Sequence, residues 1–110
     1  ITGTTLVDLT GLERLQKITS NLVIKNNATL ANLDGLTNLV AVDNALEIEG
    51  NSDLESLNGL INVRDVDYLT VKNNPALATC EAEAFRDLLG GEDELEGIVI
   101  YGNDDLATCD

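Results

Sequence analysis

The sequence predicts a mainly β solenoid of about four coils of 24 residues, with one short helix near the C-terminus. Three observations predict it: apolar residues recur every 24 positions, their spacing within each line is three residues and then two, and one stretch breaks the pattern with helical spacing. The lines run 6–29, 30–53, 54–76 and 77–105, and a further start follows at Leu106. All of it reads as one domain, 1–110, with residues 80–110 as a C-terminal cap.

Each column of the repeat has a physical reading. Leu6, Leu30, Leu54, Leu77 and Leu106 share one position. Leu9, Leu33, Leu57, Cys80 and Cys109 share the next, three residues on. Two-residue steps with β-branched residues mark short parallel strands at Leu22-x-Ile24, Leu46-x-Ile48, Leu69-x-Val71 and Ile98-x-Ile100. One line cannot bury its own apolar side. Stacked lines can, because each column becomes a row of like side chains. Gly11, Gly35 and Gly59, each after a turn-forming Thr10, Asp34 or Asn58, are expected at positive φ.

Asn27, Asn51, Asn74 and Asn103 each follow a strand by three residues. They are expected to form an inward ladder whose amides bond turn backbone above and below, with ligand binding as the other reading. The outward strand positions Lys25, Glu49, Lys72 and Tyr101 fall in register, with signs that suit cross-strand neighbours. With Val23, Glu47, Thr70 and Val99 they make the candidate binding face; the other reading is a solvated ladder that sets register.

Between Cys80 and Ile98 the repeat gives way to EAEAFRDLLGGEDELEG. Ala82, Phe85, Leu88 and Leu89 have helical spacing, Thr79 can cap the start, Glu81 and Glu83 suit the positive dipole end, and Gly90-Gly91 stops the helix. Phe85 is the expected packing anchor. Residues 81–110 hold ten of the twenty acids and one base, Arg86, which suits a polar-faced terminal cap.

The two cysteines stand in the same column, each in LATC. Stacked neighbours lie about one strand spacing apart, within disulfide range. A Cys80–Cys109 bridge is expected, with two buried free thiols as the alternative. A bridge implies an oxidising, extracytoplasmic compartment.

Composition excludes several functions. With six basic and twenty acidic residues the formal net charge is −14, which opposes binding to nucleic acid or an anionic membrane. There is no His, which removes an imidazole base or pH switch. Two Cys without His make too few ligands for tetrahedral zinc. No cofactor and no catalytic residue is expected. Asp53, Asp104 and Asp105 are weak candidates for calcium, without an EF-hand loop or a nonapeptide array around them. Asp65 and Asp67, or Asp104 and Asp105, could be paired carboxylates, but adjacency is expected by chance at this acid content. No apolar run approaches a membrane span and no signal-peptide pattern opens the chain, which begins at Ile1 and reads as a mature or excised segment.

The frame GLTNLVAVDNALEIEGNSDLESLNGL resembles the receptor L-domain repeat of insulin-receptor and epidermal-growth-factor-receptor ectodomains, and VKNNPALATC resembles the point where such a domain meets its cysteine. The stretch NNPALATCEAEAFRDLL…GIVIYGNDDLATCD is similar to the endings of secreted or lipid-anchored bacterial surface proteins, notably myxobacterial ones. The resemblance implies a right-handed parallel β-helix of leucine-rich-repeat type, surface display, and recognition without catalysis. An ordinary leucine-rich horseshoe fits L-x-I-x-x-N-x-x-L as well. Receptor L domains are longer, so their hormone-binding surfaces carry over to no residue here. The expected function is a non-enzymatic extracytoplasmic recognition or adhesion module with a protein or cell-surface ligand. A spacer without a ligand and a calcium-binding surface domain are the alternatives. Uncovered apolar rows at the N-terminal line make end-to-end self-association a further expectation.

Overall fold

The strands form where the two-residue alternation sits. In the computed structural model, which describes residues 1–91 and 94–109, β2 (Leu22–Lys25), β4 (Ala45–Glu49), β5 (Tyr68–Lys72) and β6 (Gly97–Tyr101) make a four-stranded parallel sheet in the order β2-β4-β5-β6. Its register pairs Leu22 with Leu46, Leu46 with Leu69 and Leu69 with Ile98. A second, two-stranded parallel sheet joins β1 (Lys17–Ile18) to β3 (Ala41–Val42). One helix, α1 (Thr79–Leu88), follows β5. Residues Ile1 to Gly3 lie along the β2 edge, where the Gly3 amide donates to the Lys25 carbonyl at 3.0 Å.

This arrangement corrects the expected fold class. The protein is a small mixed α/β body with two small parallel sheets and one helix, measuring 31 × 28 × 23 Å, and not a mainly β, right-handed β-helix or leucine-rich solenoid of four coils. The reason lies in the three-residue steps. They close 3₁₀ turns on local bonds, Leu36 N–H to Leu33 O and Leu60 N–H to Leu57 O, both 2.9 Å, over Asp34–Leu36 and Asn58–Leu60. Backbone bonded locally cannot also extend a sheet. In the fourth line α1 takes the place of such a turn.

The apolar columns meet in one core. Leu30, Leu54 and Leu77, Ile24, Ile48 and Val71, and Leu46 are fully buried, and Leu22 and Leu69 nearly so. The ends of the columns depart from this: Leu6 is 47% exposed and Leu106 93% exposed, so neither continues its buried row. Burying an aliphatic side chain contributes roughly 1.5–3 kcal/mol, which makes the central lines the stabilising ones.

The glycine column is corrected too. Gly11 has φ +110°, but Gly35 and Gly59 are not at positive φ. They are buried where a Cβ would strike the backbone of Leu9 and Leu33, one line earlier. Glycine there permits close approach of adjacent lines and supplies no unusual dihedral.

Ala82 and Phe85 of α1, and Leu89 at its C-terminal cap, pack into the core, while Leu88 stays 44% exposed. Thr79 is not the cap. Ala78 holds that position without a side-chain bond, and the Thr79 hydroxyl instead donates to the Asp105 carboxylate. Glu81 does more than face the helix dipole: its Oε1 accepts the Leu57 amide at 2.8 Å, tying α1 to the preceding line. Glu83 pairs with Arg86 at 3.9 Å. Glu92, Asp93 and Asp110 of the expected cap lie outside the described residues. Cys80 and Cys109 form a disulfide with their Cα atoms 6.1 Å apart.

Candidate functional site

The outward positions of the four-stranded sheet form one continuous face. Alternation along each strand turns Leu22 and Ile24 inward and Val23 and Lys25 outward, and the same step repeats on each neighbour. Register then aligns two outward rows. Val23, Glu47, Thr70 and Val99 make one; Lys25, Glu49, Lys72 and Tyr101 make the other.

Charge along the second row is internally matched. Glu49 lies between two lysines, 3.5 Å from Lys25 and 3.7 Å from Lys72. Lys72 Nζ lies 5.7 Å from the centre of the Tyr101 ring, within cation–π range. The Glu49 carboxylate and then Tyr101 hold the Lys72 ammonium above its ordinary pKa. A shared hydrogen bond separates the two glutamates of β4: it raises Glu47, helped by desolvation and by the Glu49 charge, and it lowers Glu49. On acidification Glu47 therefore takes up a proton before Glu49.

The face ends in an apolar and aromatic margin. Val99 is 41% exposed, Tyr101 53% and Tyr68 43%. Tyr68 was absent from the sequence reading, although the signal was present: it stands two residues before Thr70 and so shares its side of β5. Its phenol is raised above the ordinary range by a hydrogen bond with Glu96 and that residue's charge.

The asparagines lie elsewhere, inside the molecule. Asn27, Asn51 and Asn74 are fully buried and Asn103 is 9% exposed. Each side-chain oxygen accepts both the backbone N–H and the side-chain NH₂ of the asparagine one line earlier, at 3.0–3.2 Å, from Asn27 on Asn51 to Asn74 on Asn103. Each amide also donates to a carbonyl of the preceding line: Ile1, Ile24, Ile48 and Val71 in turn. Thr4 closes the row by donating its amide and hydroxyl to Asn27 Oδ1. These amides are engaged by the backbone, which leaves a ligand little to hold.

A second column escaped the sequence reading. Asn26, Gly50, Asn73 and Gly102, each just before a ladder asparagine, all have φ between 57° and 70°. Only Gly and Asn enter that region readily, and the alternating N-N and G-N pairs carried the signal. The left-handed residue turns the chain at the end of each strand so that the next side chain points inward.

The weak calcium candidates do not converge. Asp104 Oδ1 accepts the Leu106 amide at 3.1 Å and Asp105 is bonded to Thr79. Asp53 belongs to a line two rungs away in the asparagine ladder, roughly 9–10 Å at strand spacing. Among the described residues no group of three or more acidic or cysteine side chains could hold a metal ion, and no helix is long and apolar enough to cross a membrane. No family model matches the chain, and neither a curated protein nor a solved structure matches it.

Proposed function

We propose that this chain is a non-enzymatic recognition or adhesion module that works outside the cytoplasm and contacts a protein or cell-surface ligand through the outer face of the four-stranded sheet. One observation carries the reading. The face is an in-register surface whose charges compensate one another, leaving exposed tyrosine and valine at its β5–β6 margin. Compensated charge lowers the cost of desolvation, and tyrosine gives contact area at little entropic cost. The disulfide is consistent with an oxidising compartment, and the absence of His supports a role without acid–base catalysis. The likeness of the repeat to receptor L-domain sequences points toward surface display.

The test is capture from surface-protein extracts by the disulfide-intact chain, beside Lys25→Glu/Lys72→Glu and Tyr101→Ala variants. A specific partner lost with these changes supports the reading. No partner, or one indifferent to all three substitutions, counts against this face.

A further inference from the structure

A second surface lies between α1 and the 3₁₀ turn at Asn58–Leu60. Leu57 and Phe85 floor a groove of about 180 Å³, and Ile61, Ala84, Leu88 and Glu81 wall it. Ile61 and Leu88 are 53% and 44% exposed and stand together on the groove, so they form a patch and not a scatter of single residues. The groove is smaller than the roughly 300 Å³ at which drug-sized ligand pockets begin, and it suits one or two apolar side chains presented by a peptide.

Charge selects the occupant. The helix beside the groove, α1, carries three acids, Glu81, Glu83 and Asp87, and one base, Arg86. That base, Arg86, is already paired with Asp87 at 3.1 Å and Glu83 at 3.9 Å. Glu81 lines the groove itself, its carboxylate anchored by the Leu57 amide. Arg64 does not line the groove; its guanidinium donates to the Ile61 and Val63 carbonyls. A second copy would bring two bodies of charge −14 together. A segment with an aliphatic anchor flanked by Lys or Arg gains both apolar burial and attraction to the acidic surroundings.

We propose that this groove docks a cationic, amphipathic peptide segment of a partner protein, with an aliphatic side chain seated between Ile61, Phe85 and Leu88. The groove shares no residue with the strand face, so either surface can fail alone.

The test titrates the disulfide-intact chain with a short amphipathic Leu/Lys peptide, its Leu/Glu analogue and an oligolysine of equal length. Ile61→Ser and Leu88→Ser keep the net charge and change exposed positions, and urea midpoints check that both variants fold. The expected result is binding of the Leu/Lys peptide that weakens about tenfold or more in each serine variant, is unchanged by Lys72→Glu, and exceeds that of oligolysine and the Leu/Glu peptide. Absent binding, binding indifferent to both serine changes, or equal binding of oligolysine would overturn the proposal. So would a homodimer in sedimentation equilibrium that the serine changes dissociate, since it assigns the groove to a second copy.

Discussion

Asn51 places both its backbone N–H and its side-chain NH₂ on Oδ1 of Asn74, each at 3.1 Å. Two lines of the chain are thereby joined through one buried oxygen. Asn74→Ala removes that acceptor and the donor to the Ile48 carbonyl, leaving buried polar groups unmatched at roughly 1–3 kcal/mol each. Urea denaturation is expected to show a loss of at least about 3 kcal/mol. An Asn73→Ala change next door tests the left-handed turn separately. Asn73→Gly is expected to be close to neutral, because glycine accepts φ 58° without strain.

Close approach of the lines makes Gly59 a sensitive site. A methyl group there meets the Leu33 carbonyl, which belongs to backbone and cannot rotate away. Gly59→Ala is expected to cost about 1–3 kcal/mol by overpacking. The denaturation midpoint should fall with little change in slope. A midpoint equal to that of the parent would show that the two backbones separate freely.

The disulfide closes a loop with a sequence separation of 29. In the chain-entropy treatment such a bridge stabilises by about 3–4 kcal/mol. Cys80→Ser/Cys109→Ser should lower Tm accordingly, and a reductant should lower the parent's Tm but leave the double variant's unaltered. Mass spectrometry without reductant should find the parent two hydrogens lighter than its thiol form.

The two glutamates of β4 should titrate on opposite sides of the ordinary value of about 4.3. Glu47, raised by its hydrogen bond with Glu49, keeps its stabilising contribution below the unfolded value and loses it as pH rises through the higher folded one. Glu49, lowered by the same bond and by Lys25 and Lys72, contributes above the unfolded value and loses it as pH falls through the lower folded one. Carboxyl chemical shifts followed by NMR should give Glu47 the higher midpoint. In a Glu47→Gln variant the Glu49 midpoint should move. Independence of the two midpoints would refute the coupling.

Much of this was legible in the sequence, and the rest had physical reasons for being hidden. The strands are marked because the alternation in Leu22-x-Ile24 and its counterparts is local, and parallel pairing then joins equivalent positions of successive lines, the shorter third and the longer fourth included. Cys80 and Cys109, each in LATC at equivalent positions of successive lines, meet across the longer fourth line at a sequence separation of 29. The overall architecture departs from the expected solenoid because the three-residue steps specify only that leucines face inward. Whether that backbone extends a sheet or closes on itself depends on competition for its hydrogen bonds, and the 3₁₀ turns at Asp34–Leu36 and Asn58–Leu60 won. The reason for Gly35 and Gly59 is the nearness of another backbone, a distance no single line contains. Thr79 lost its expected cap role to a carboxylate 26 residues away in the chain. Residue order by itself determined the strand alternation, the inward columns and the acidic charge. Only the folded chain decided which turns close locally, which glycines serve contact, and that Ile61 and Leu88 stand together at the surface, because each depends on groups that meet in space while lying far apart along the chain.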